Sequence, residues 1–378
     1  MTIYNSIEND DHFKVRVEDD LRHIKTRETV ISLSPSVMAL LLAACGGGGG
    51  GGVSISGQPR SITFEGEAII GTYNDDAGLA GTEQRDIIID NRGTNTIFAR
   101  AGNDYIIATG NIDAGEGNDI VFGDGASDTI YGQEGNDILA ASSGNIYGGE
   151  GHDYIQISFN DNAAEDYGQR SFVQREPINQ DLDVDDLITQ NPFYKASHGT
   201  TYASGGAGND VIFVASIPDR FEMNRLIGGE GNDLLMATQD SRMIGGIGDD
   251  EFFVFFGNDE NNVFDADLQV EIADFGNGTD KIVLVVDHNA HPEYDEDYDD
   301  LISFFLNGTL IDYDSDGSND DLQVVVITTD IISKEAQTKT IIFENLGRQL
   351  TAEDFEVMSL VQFDGMVDDI QQSYIDAF

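Results

Sequence analysis

A nine-residue period constrains this chain more than any other feature, because a fixed short repeat commits a chain to a solenoid whose units pack only on their neighbours. Written in blocks, the period reads GTEQRDIII (81–89), DNRGTNTIF (90–98), ARAGNDYII (99–107), AGEGNDIVF (114–122), GDGASDTIY (123–131), GQEGNDILA (132–140) and GGEGHDYIQ (148–156). It resumes as GGAGNDVIF (205–213), GGEGNDLLM (228–236) and GGIGDDEFF (245–253). The sixth position is Asp86, Asp104, Asp119, Asp128, Asp137, Asp153, Asp210, Asp233 and Asp250, with Asn95 in the remaining block. The eighth is apolar throughout: Ile88, Ile97, Ile106, Val121, Ile130, Leu139, Ile155, Ile212, Leu235 and Phe252. With 40% apolar residues in the chain, ten such coincidences have a probability on the order of one in ten thousand.

Each block divides into a Gly-rich turn ending in Asp and a three-residue strand whose middle side chain points inward. Two blocks make one coil, and the glycines let successive backbones stack where a Cβ would obstruct them. The aspartates then fall above one another. Lys and Arg number 19 against 70 Asp and Glu, a net charge of −51, so the stack has few basic residues to neutralise it. Such a chain repels phosphate backbones and anionic lipid, which excludes nucleic acid as a partner and selects cations. Its single cysteine, Cys45, makes no intrachain disulfide, leaving bound metal as the available staple. Carboxylates with main-chain carbonyls form the hard-oxygen set that suits Ca²⁺.

The pattern G-G-x-G-x-D-x-U-x resembles the nonapeptide of repeats-in-toxin (RTX), haemolysin-type, calcium-binding proteins, most closely over 114–156 and 205–253. The resemblance implies an all-β fold, a right-handed parallel β-roll, with several Ca²⁺ ions held between turns by the sixth-position aspartates and turn carbonyls. It carries that role onto the nine aspartates and onto Gly115, Gly117, Gly135, Gly149, Gly151, Gly206, Gly208, Gly229 and Gly231. Blocks 81–98 lack most of the glycines, and spacers follow residues 107, 140, 213 and 236. Upstream, GTYNDDAGLAGTEQRD (71–86) resembles the family's opening segment, with Gly78 where an inward apolar residue is expected.

Around the repeats the chain divides into 1–52, a first roll segment 53–156, a polar excursion 157–204, a second roll segment 205–253, a β-rich region 254–348 and an acidic tail 349–378. The β-rich region holds VEIADF, DKIVLVV, LISFFLNGTLIDY, LQVVVIT and TIIFENL, expected as an antiparallel extension. IADFGNGTDKIVL and TIIFENLGRQLTAEDF resemble the C-terminal part of serralysin-type RTX proteins. Between two of the expected strands, Asp312, Asp314, Asp316 and Asp320 with Gly317 follow the start of an EF-hand loop. Gln323 stands where the bidentate Glu belongs, so the expectation is a separate Ca²⁺ loop or an acidic hairpin turn. The tail has seven acidic residues and no basic one and ends SYIDAF, resembling the uncleaved signal of type I secretion substrates and implying that machinery as a partner.

At the amino end VISLSPSVMALLLAAC (30–45) resembles a lipobox before the glycines 46–52; the alternative is a leader and linker on a type I substrate. There is no H-E-x-x-H and no G-x-S-x-G. His288 and His291 beside Asp287, Glu293 and Asp295 read as a solvated acidic loop. The expected function is a calcium-binding protein, secreted or on the cell surface, not an enzyme, with a structural or adhesive role toward a surface or extracellular polymer. Rival readings are a polysaccharide lyase or epimerase and a lipoprotein adhesin tethered through Cys45.

Overall fold

A computed structural model describes residues 68–70, 78–90, 96–123, 128–141, 143–157, 197–198, 200–217, 222–256, 268–286, 302, 305–329 and 336–377. Residues 1–52 with Cys45, Asn95, most of the excursion and the His288–His291 stretch lie outside the described residues.

Short strands wind alternately into two sheets, of eleven and twelve strands. The eleven-stranded sheet runs from Ala68–Ile70 through Ile138–Ala141 and Val211–Val214 to Phe355–Ser359, parallel at every pairing. The second sheet is parallel from Leu79–Ala80 to Ala336–Phe343. Parallel neighbours ordinarily need a long crossover. Here each tight turn delivers the chain to the opposite sheet, which is the geometry of a parallel β-roll.

Register places the apolar residues in two facing rows. Ile69, Ile88, Ile106, Val121, Leu139, Ile155, Ile212, Leu235, Phe252 and Ile282 pair in succession on one side. Leu79, Ile97, Ile112, Ile130, Ile146, Ala203, Leu226, Met243, Ile272 and Phe343 pair on the other. All ten eighth-position side chains have 0% exposure. At the amino end the inward residue is Leu79, one place after Gly78.

Two expectations about the period are refined. The spacers are not interruptions, since the return strands Asn111–Glu116, Gly144–Glu150, Asn224–Glu230 and Ser241–Ile247 start within them and continue into the first three positions of the next block. The turn is therefore only the last three residues of G-G-x-G-x-D, as at 135–137. The excursion leaves the winding intact: Tyr154–Ile157 pairs directly with Val211–Val214.

Beyond the repeats, VEIADF, DKIVLVV and TIIFENL add further parallel coils through Gln269–Ile272, Lys281–Val286 and Ala336–Phe343. The antiparallel extension is narrower than expected, comprising Asp321–Thr329 and Thr309–Ile311. LISFFLNGTLIDY is not one strand, because residues 302 and 305–306 are helical. Buried Phe305 packs edge-on against Phe256 and Phe355, and Phe275 against Phe343, so aromatic rings fill this end of the core. The acidic tail forms the last strand and then a helix, Leu360–Ala377, whose buried Phe363 and Val367 pack on the outer face of the eleven-stranded sheet.

Candidate metal centre

The turns preceding the strands of the eleven-stranded sheet share one edge, and their aspartates form a file. The backbone N–H of Asp86 donates to Asp104 Oδ1 (2.6 Å), Asp104 to Asp119 (2.7 Å), Asp119 to Asp137 (2.7 Å) and Asp137 to Asp153 (2.9 Å). The file then crosses the excursion, Asp153 to Asp210 (2.7 Å), and continues through Asp233 (2.8 Å) and Asp250 (2.9 Å) to Asp280 (3.1 Å). Eight of the nine expected aspartates are members. Asp128 is not: it opens the strand Asp128–Glu134 of the other sheet, in register with Gly144. Its strand therefore belongs to a return half-coil, in the sheet opposite the strands that the file precedes.

Asp280 escaped the sequence reading although FGNGTDKIV (275–283) keeps Gly276, Gly278 and the apolar Ile282 in place. Replacement of the first glycine by Phe275 hid the block. Asp274 was missed as well; its two oxygens accept the N–H groups of Gly245 (2.9 Å) and Gly246 (2.7 Å).

From Asp104 onward, each carboxylate has spent one oxygen on the file. The second, Oδ2, is buried without a hydrogen-bond partner in Asp104, Asp119, Asp137, Asp153, Asp210 and Asp233. At the ends it is satisfied: Asp86 Oδ2 accepts the N–H (2.5 Å) and hydroxyl (3.0 Å) of Thr82, and Asp280 Oδ2 accepts Gly276 N–H (2.6 Å). A buried polar atom left unpaired costs roughly 1–3 kcal/mol, and more when charged, so six in one row require an explanation.

The glycines supply part of it. The expected turn glycines all have positive φ, for example 137° at Gly135 and 127° at Gly151, and a Cβ at either would overlap the carbonyl of the preceding coil. Gly115, Gly117, Gly149, Gly206, Gly208, Gly229 and Gly231 share this arrangement, which stacks turn carbonyls in a column. Position one, not singled out from the sequence, faces the aspartate itself. A Cβ on Gly132, Gly148 or Gly228 would fill the space between its own block's Oδ2 and the carbonyl oxygen of Gly148, Gly205 or Gly245 in the next coil.

Position five forms a second, outer ladder that the sequence reading also passed over. Side chains of Asn103, Asn118, Asn136, His152, Asn209, Asn232 and Asp249 each accept the N–H of the corresponding residue one coil on. It holds the turns at constant spacing from outside, while the aspartates do so from inside.

Burial pushes the carboxyls up: Asp119 to about 9, Asp104 and Asp153 to about 8, Asp137, Asp210 and Asp233 to about 7, and Asp250 to about 6. Neighbouring carboxylates add to it for most of them, and the accepted N–H groups oppose it. The file is thus costly as bare anions and is relieved either by protons or by a cation. Its donors are all oxygen, carboxylate and carbonyl, set around an open cradle, which fits Ca²⁺.

The acidic hairpin is assembled differently from expectation. Asp312 and Asp314 come together with Asp321, ligand atoms within 4.8 Å, while Asp316 and Asp320 stand outside that group. Buried Asp321 accepts the N–H groups of Tyr313 (2.7 Å) and Asn345 (2.8 Å), and Asp314 and Asp316 cap their own turns at Asp316 N–H (3.0 Å) and Ser318 N–H (2.7 Å). Much of this acidity is already used to shape the loop.

The family description "RTX calcium-binding nonapeptide repeat (4 copies)" matches residues 80–113, 113–145 and 199–215. The matched segments are RTX repeats, a calcium-binding type, which supports Ca²⁺ as the ion. No curated protein and no solved structure matches the chain. The likeness of the post-repeat region to serralysin-type proteins gains no support from these comparisons.

Proposed function

We propose that this is an exported protein whose roll is wound by calcium outside the cell, and that the wound roll is a structural or adhesive element without catalytic activity. The observation that carries the reading is the row of six buried, unpartnered Oδ2 atoms on one edge. One ion per orphaned oxygen gives six Ca²⁺ in single file, with Thr82 and Gly276 closing the ends. Low calcium in the cytosol leaves the repeats unwound for export, and higher calcium outside supplies the folding free energy. The C-terminal segment is the proposed signal for type I secretion. Among the described residues no helix is long and apolar enough to cross a membrane.

The test is far-UV circular dichroism of the full chain during titration with CaCl₂ and, at matched ionic strength, MgCl₂, with bound metal counted by equilibrium dialysis. A cooperative coil-to-β transition in Ca²⁺ alone, reversed by chelator and saturating near six ions, is the expected result. A chain equally rich in β-structure in chelator, with no calcium retained, overturns the reading.

A further inference from the structure

The C-terminal helix lies across the outer face of the eleven-stranded sheet and reaches further than a cap on the last coil requires. Phe363 meets Phe253 and Phe255 edge-on at 5.7 and 5.1 Å. At the far end the Tyr374 ring lies 5.8 Å from Tyr154, and its hydroxyl donates to the Asp153 carbonyl (3.2 Å). Phe253 closes the last repeat and Phe255 follows it on the same strand, whereas Asp153 and Tyr154 belong to the final block before the excursion. Eighteen helical residues at about 1.5 Å each give about 27 Å, close to the span of the six strands from Phe355–Ser359 back to Tyr154–Ile157 at about 4.8 Å apart. The helix therefore bridges the seam at which Tyr154–Ile157 joins Val211–Val214 across the excursion.

The helix has little stability of its own. It contains Gly365 and four aspartates and no basic residue, and Asp376 in its last turn opposes the helix dipole. At this length such a helix is marginal in water and depends on the surface it covers. That surface of Tyr154, Val211, Phe213, Met236, Phe253 and Val283 exists only when the coils are wound. Tyr374 also sits within electrostatic reach of the Asp210, Asp153 and Asp233 carboxylates, so its seat is flanked by the file.

We propose that the helix Leu360–Ala377 is a brace that locks the two repeat segments into one roll, and that it docks only once the file has been loaded with cations. The linkage rests on the calcium reading above; the brace rests on the seam contacts. It implies that the tail, which resembles a type I secretion signal, is held against the sheet with Phe363 and Val367 buried once the roll forms. Export and folding then exclude one another in a single chain.

The experiment compares the full chain with Phe363→Asp/Val367→Asp and with Tyr374→Phe. Calcium midpoints come from circular dichroism, and local protection from hydrogen exchange. The double variant is expected to raise the midpoint about three-fold, since destabilisation of a transition taking up several ions is shared among them. Exchange should quicken at Tyr154–Ile157 and Val211–Val214 and stay unchanged at Tyr105–Ala108. Tyr374→Phe keeps the ring and loses only the hydroxyl, so faster exchange confined to the seam is expected. If the full chain responds to calcium and both variants match it in midpoint and seam protection, the brace is wrong. If the full chain does not respond to calcium, the linkage falls with the calcium reading.

Discussion

Arg100 and Gln133 occupy the second position of their blocks with φ of 84° and 83°, where most other turns have glycine. Each holds an L side chain in the left-handed region at a cost of roughly 1 kcal/mol. Gln133→Gly is expected to raise stability by about 0.5–1 kcal/mol despite losing the Gln133 to Asp113 hydrogen bond, read as a shift in urea midpoint in saturating calcium. Asp137→Asn tests the orphaned oxygens at single-residue level. The amide retains the Oδ1 acceptor for Asp119 N–H and places a donor beside the Gly148 carbonyl. The variant should therefore melt higher than the parent in chelator and lower in calcium, with one ion fewer bound. The same sign of change in both conditions would show that Oδ2 is not a ligand.

At the scale of the file, the carboxyls are raised in the folded state, so that state binds more protons than the unfolded one. The stability they contribute is present at low pH and is lost as pH rises through the folded values, here from about 6 to about 9. Without metal, the roll should accordingly be more stable at about pH 5 than at about pH 8, as measured by thermal melts in chelator. Calcium requires the deprotonated carboxylates, so in calcium the order reverses and affinity falls on acidification. A metal-free melt that does not vary with pH would mean that the file is already satisfied. The excursion matters little at this scale, because Asp153 N–H reaches Asp210 Oδ1 as if nothing lay between.

Across the whole molecule, a net charge of −51 opposes winding, while two continuous inward rows favour it. Monovalent salt screens the surface carboxylates but cannot reach buried oxygens. Raising NaCl to about 0.5 M in chelator is therefore expected to recover only part of the β-signal that calcium produces. Full recovery by NaCl would assign the barrier to surface repulsion instead of the file.

Periodicity was enough to establish the roll, its inward row and the kind of ion, because an aspartate and an apolar residue two places apart must recur in the turns and along one interior face. It did not reveal which of the aspartates share an edge. Return half-coils such as Asn111–Glu116 and Gly144–Glu150 carry no G-x-D turn of their own and therefore read as spacers. Only winding shows that Asp128 opens a strand of the other sheet and that Asp280, behind an altered first position, extends the file. The acidic tail likewise becomes a helix over the sheet because Phe363 and Val367 find an apolar face there, one built from coils far earlier in the chain, between Tyr154 and Val285.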